Sequence, residues 1–166
     1  MPTRTPTRTP TRTSTRSAPA ALVLLAQARH ALDEATVFDR PAERYASAHL
    51  AALRTAAAIL AARARPDVAS RRRRSAPRDA WSLLNEVAPE LGEWAAFFAA
   101  GAGKRAAAEA GVTGAVTARE ADDLLRDVET FLAVAATTLG VLPDSVGVTA
   151  PPEKERRDTR LIRRAG

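Results

Sequence analysis

Between Pro19 and Leu139 the apolar positions recur every three or four residues, the period of amphipathic helices rather than the two-residue alternation of strands. Five segments carry that pattern. The first is expected from about Pro19 to Ala35, with Leu22, Leu25, Ala28 and Leu32 facing inward and Pro19 in its first turn. The second is expected from Pro41 to about Arg65, capped by Asp39, with Ala46, Leu50, Leu53, Ala57 and Leu60 buried. A third, from about Arg78 to Ala88, turns Trp81, Leu84 and Val87 inward. Pro89 ends it, because proline lacks a backbone donor and clashes with the preceding turn. The fourth continues to about Ala110 with Leu91, Trp94, Phe97 and Phe98 at core spacing; Gly101 and Gly103 weaken it and Gly111 stops it.

A short extended turn over 112–116 follows. Thr117-Ala-Arg-Glu120 then reads as a capping box that opens a fifth helix, which runs to Leu139 with Gly140 as its stop. Its inner stripe is Ala121, Leu124, Leu125, Val128, Phe131, Leu132 and Ala135, while Asp122, Asp123, Asp127 and Glu129 cover the outside. No strand pair, hairpin signal or long repeat interrupts the series. Short links between amphipathic helices make neighbours antiparallel, so the expected fold is all-α, an up-and-down bundle of four to five helices over 19–140. The Thr-Arg-Thr-Pro arm of residues 1–18 is expected to be disordered, and 141–166 to be a charged flexible tail.

Composition narrows the chemistry. Alanine dominates the apolar residues and aromatics are only 4%, which suits closely approaching helices. With no cysteine and only His30 and His49, disulfides and thiolate metal sites are excluded, and neither metal nor cofactor is expected. A cytoplasmic setting is expected, and no apolar stretch is read as reaching the ~20 residues of a membrane span. The net charge of +6 is unevenly placed. Residues 1–18 hold four arginines and no acid; 63–78 hold seven arginines against Asp67. The rest of the helical body is acidic, so the high pI belongs to tails and one loop.

Arg44 and His49, with four residues between them, are the best catalytic candidates in a chain so short of groups that titrate near neutrality. Neutral His49 suits a general base, and Arg44 suits a donor to charge developing on phosphate. Five helical steps leave them about 140° apart on one helix, so a helix end or a second chain would have to complete the site. On geometry the competing reading is structural: His49 and Tyr45 at the bundle seam, Arg44 turned outward and paired with Glu43 or Asp39. Arg71, Arg72, Arg73 and Arg74, together with Lys104 and Arg105, are the candidate nucleic-acid contacts. The Gly101-Ala-Gly103-Lys104 run lacks phosphate-loop spacing and is read as a helix weakened by glycine. Trp94, Phe97 and Phe98 are read as core, with an exposed dimerisation seam as the alternative.

Three stretches together resemble the HEPN superfamily, in particular a small stand-alone actinobacterial branch. They are Arg44-Tyr-Ala-Ser-Ala-His-Leu-Ala-Ala-Leu-Arg54, Asp79-Ala-Trp through Phe98 with Gly101-Ala-Gly-Lys-Arg105, and Val116-Thr-Ala-Arg-Glu-Ala-Asp-Asp-Leu-Leu125. The resemblance spans about residues 20–140. It implies a bundle of four or five helices, often a homodimer, and in many members an action on RNA. Nuclease members are metal-independent and use an arginine and a histidine four to six residues apart, which Arg44 and His49 match in spacing. Two features depart from that pattern: Tyr45 stands where a polar residue usually follows the arginine, and the pair opens the second helix instead of lying late in the bundle. Two functions stay open: a domain that associates with RNA or a nucleic-acid-handling partner, with endoribonuclease action through Arg44 and His49, and a non-catalytic module for dimerisation or protein binding.

Overall fold

The computed structural model describes residues 14–63 and 79–141, with side chains from residue 19 onward in the first segment. The helices are α1 (Ser14–Val37), α2 (Pro41–Arg63), α3 (Ala80–Val87), α4 (Gly92–Glu109) and α5 (Ala118–Thr138). A 3-10 turn, Pro89–Leu91, joins α3 to α4. The described residues contain no strand. The chain is an all-α bundle, as its periodicity requires.

Side-chain bonds between helices fix their directions. Ser47 and Arg54 of α2 donate to the carbonyls of Ala31 and Gln27, so α1 descends as α2 rises. Arg63 meets Glu90 at one end of α2, and His49 meets Phe98 further down, so α4 is antiparallel to α2. Trp94 against Phe131 and Lys104 against Glu120 make α5 antiparallel to α4. The four long helices therefore run alternately down and up, with α2 and α5 parallel across the diagonal.

The local stops and starts follow the sequence closely. Asp79 accepts from the backbone N–H groups of Trp81 and Ser82 and starts α3. At the N-terminus of α5, Glu120 donates its backbone N–H to Thr117 and its carboxylate accepts from the Thr117 backbone, the reciprocal capping box. Gly111 and Gly140 end α4 and α5 at φ of 72° and 67°, a conformation that glycine reaches without a Cβ clash. In both, the next residue's N–H bonds five residues back, Val112 to Ala107 and Val141 to Ala136, which closes the helix end.

Five expectations are corrected. α1 begins at Ser14, five residues ahead of the expected start, and Pro19 lies inside it rather than in its first turn. Arg40, not Asp39, supplies the first helical carbonyl of α2, accepting from Arg44 N–H. Of the expected stripe of α2 only Leu60 is buried: Leu50 is 37% exposed and Ala46, Leu53 and Ala57 are half-buried, while Tyr45, Ala48, His49, Ala51, Ala52, Thr55 and Ala56 are buried. The cause is position, since α2 packs against every other α-helix and so is buried over most of its circumference. α2 is also long and apolar enough to cross a membrane by length and composition, contrary to the sequence reading, although 56% of that window is buried within the bundle. It is the core helix here. In α1, Leu22 is exposed and Ala21 takes the expected inward place.

Candidate functional site

Tyr45 and His49 lie one turn apart on the face of α2 that meets α4, their rings stacked with centroids 6.4 Å apart. Gly101 lets α4 approach. A Cβ there would stand 2.9 Å from the Tyr45 hydroxyl and 3.6 Å from His49 Nε2. His49 is 1% exposed, with Trp81 and Phe98 packed edge-on against its ring. Its Nε2 lies 3.0 Å from the Phe98 carbonyl oxygen, an acceptor only, so this nitrogen carries the proton and donates. Nδ1 then keeps its lone pair, and it is buried with no hydrogen-bond partner among the described residues. Burial lowers the His49 pKa, against the opposing pull of the Phe98 carbonyl, so the imidazole is neutral near pH 7.

Arg44 is occupied elsewhere. Its Nε and Nη2 donate to the Phe38 carbonyl at 3.1 and 3.0 Å, and its Nη1 pairs with Asp122 of α5. The guanidinium thus clips the α1–α2 turn to α5, a planar fork matched to a carbonyl on one side and a carboxylate on the other. The acid is neither of those expected. Glu43 pairs with Arg40, and Asp122 was assigned to the outer side of α5. Arg44 and His49 share no partner, and their side chains face different helices, as the 140° rotation requires.

Beside His49 opens a cavity of about 230 Å³, lined chiefly by Tyr45, His49, Phe97, Phe98, Lys104 and Leu124. Lys104 pairs with Glu120, the same carboxylate that closes the capping box, and these bonds hold Glu120 at a pKa of about 2. Burial raises the Tyr45 pKa, which keeps the phenol protonated. The cavity therefore presents a neutral imidazole, a neutral phenol and an ammonium already paired. It can donate hydrogen bonds, but it holds no activated nucleophile. No cluster able to hold a metal ion occurs among the described residues.

Of the other candidates, Arg105 bonds Glu109 one turn on, at 2.9 Å. Arg71, Arg72, Arg73 and Arg74 lie outside the described residues. Trp94, Phe97 and Phe98 divide: Phe98 is fully buried, Trp94 half-buried and Phe97 47% exposed. Sequence reasoning missed Gly101 and Asp122. Gly101 carries no signal beyond a glycine in a helix, and Asp122 becomes a partner of Arg44 only once α5 is placed beside α2.

The family model described as SAV_6107-like HEPN matches residues 35–136, from the last turns of α1 to the last turn of α5. No curated protein and no solved structure matches the chain.

Proposed function

The chain belongs to the SAV_6107-like HEPN family, and on that premise we propose that its bundle is a non-catalytic interaction module. One observation carries this reading: Arg44 and His49 direct their polar atoms into the bundle, Arg44 to Phe38 and Asp122, His49 to Phe98. A general base needs its lone pair within reach of the proton it removes. The free Nδ1 of His49 is buried instead. Lys104 and Arg105 are likewise neutralised by Glu120 and Glu109, which disfavours them as phosphate contacts.

Incubation of the purified protein with RNA in EDTA, beside His49→Gln, tests this. Glutamine can still donate to the Phe98 carbonyl but cannot carry a proton, so the fold is kept and the base is lost. The expected result is no chelator-resistant cleavage by either protein. Cleavage that survives EDTA and vanishes in His49→Gln would restore the endoribonuclease reading.

A second reading, association with RNA, is favoured by the seven arginines within residues 63–78. It predicts binding that falls steeply with salt and a shallower slope once Arg71–Arg74 are replaced by serine. Affinity insensitive to both changes would remove RNA as the partner.

A further inference from the structure

On the outer surface between α4 and α5, Trp94 and Phe97 form a right-angled corner, ring centroids 6.4 Å apart and planes at 89°. With Glu93 and Asp127 they line a groove of about 290 Å³. Phe97 is 47% exposed. Neither Glu93 nor Asp127 has a salt bridge among the described residues; Arg126, the cation that acts on Asp127, is paired with Asp123. Two aromatic faces set at right angles with two carboxylates at the rim suit a cation, because the negative ring faces attract it and the carboxylates neutralise it. A planar guanidinium fits best, since it can stack on one ring while donating to both acids.

We propose that this corner takes an arginine of the chain's own N-terminal arm, Arg4. The arm ahead of Ser14 carries three arginines and no acid, in a Thr-Arg-Thr-Pro repeat too polar to build a core of its own. Reach selects the residue. The Arg29–Glu129 contact sets α1 beside α5 at the level of the groove, and the fifteen helical residues back to Ser14 carry the arm's root about 22 Å along the bundle axis. Crossing α5 adds roughly one and a half helix diameters of about 10 Å each. Ten extended residues from Ser14 to Arg4 span about 33 Å, which covers the diagonal of roughly 27 Å that these perpendicular legs make, whereas the backbone to Arg8, about 20 Å, and to Arg12 falls short. Each contact is weak alone, and the tether supplies the effective concentration that a free peptide would lack. The inference is independent of whether the bundle acts on RNA.

The composition makes a direct test available. The chain has no cysteine and only two tryptophans, so Thr3→Cys accepts a single nitroxide and the nitrogen-15 spectrum shows two indole signals. Trp94→Phe assigns them, and Trp81, 5% exposed in the core, is the internal control. In the full chain at low salt, the label should broaden the Trp94 indole by more than half and leave Trp81 sharp. Arg4→Ser, or Glu93→Gln with Asp127→Asn, should restore the Trp94 signal, whereas Arg12→Ser should not. A sharp Trp94 signal in the labelled chain, or broadening that survives Arg4→Ser, would overturn the proposal. So would broadening lost on dilution into unlabelled chain, since that would seat the arm on a second copy. Either failure leaves the RNA cleavage test unaffected.

Discussion

The two sides of α2 are built differently. Towards α1 the core is mainly alanine: Ala28, Ala31 and Ala35 are buried, and so are Ala51 and Ala58, which share a face of α2 with Ser47 and Arg54. Small side chains let the backbones come close enough for Ser47 and Arg54 to reach carbonyls of α1. Towards α4 and α5 the core is aromatic, with Phe98 packed against Trp81, Trp94 and Phe131 at ring distances of 5.1–5.9 Å. Large rings hold helices apart and leave spaces between them. Both the cavity beside His49 and the groove at Trp94 lie on this side. The alanine side sets the architecture, and the aromatic side holds the groups able to meet a ligand.

Truncation separates the two most strongly. Phe98→Ala removes a fully buried ring that touches five other aromatic or imidazole rings, and should cost about 3–5 kcal/mol in denaturant unfolding. It should also loosen α4 at the carbonyl that His49 binds. A loss below that of an ordinary surface substitution would mean the aromatic side is not a packed core.

Enlargement is the converse probe. Ala51→Leu inserts three carbons where the residue is fully buried against α1, and overpacking there should cost about 1–3 kcal/mol by the same measurement. Leu50→Ala, one face over and 37% exposed, should cost far less. Equal losses at the two positions would restore the leucine stripe and undo the rotation of α2 described above.

That rotation shows where sequence legibility ended. The limits of α3, α4 and α5 were readable because their signals are local: Thr117 with Glu120, Gly111, Gly140 and Pro89 each act within one turn, whereas the start of α1 and the cap of α2 were misplaced. The amphipathic α5 was readable because one side faces solvent, and Ala121, Leu124, Val128, Phe131, Leu132 and Ala135 are all buried as its period requires. α2 has no comparable polar side, so following its leucines picked a face that partly looks outward. The site failed to read for a related reason. Whether Arg44 is free depends on Phe38 and Asp122, and the latter is 78 positions away in the chain.

His49 gives the aromatic side a pH dependence that the alanine side lacks. Its folded pKa lies below its unfolded value of about 6.5 because burial disfavours the imidazolium. The stability it contributes is thus complete above about pH 6.5 and lost as pH falls towards the folded value, since the unfolded chain binds the proton first. Glu120, held at about 2, loses its own contribution only below about pH 4.5, so the window from 7 to 5 isolates the histidine. Unfolding free energy should fall across that window in the natural chain and stay flatter in His49→Gln. Parallel slopes would mean His49 binds its proton equally well in the folded and unfolded chain, so burial does not disfavour its charge.

The finest probe lies within α4, where two glycines two residues apart differ only in what they face. A methyl group at Gly103 meets nothing within 4 Å, so Gly103→Ala should stabilise by about 0.5–1 kcal/mol through backbone entropy and helix propensity. At Gly101 the same methyl would stand 2.9 Å from the Tyr45 hydroxyl and against the His49 ring. Relieving that contact pushes the Tyr45 hydroxyl into the cavity it lines and off its stack with His49, so Gly101→Ala should forfeit most of that gain. Thermal melts of the two variants decide the matter. If both rise together, α4 can slide away from α2, and the tight approach that seals His49 is looser than its contacts imply.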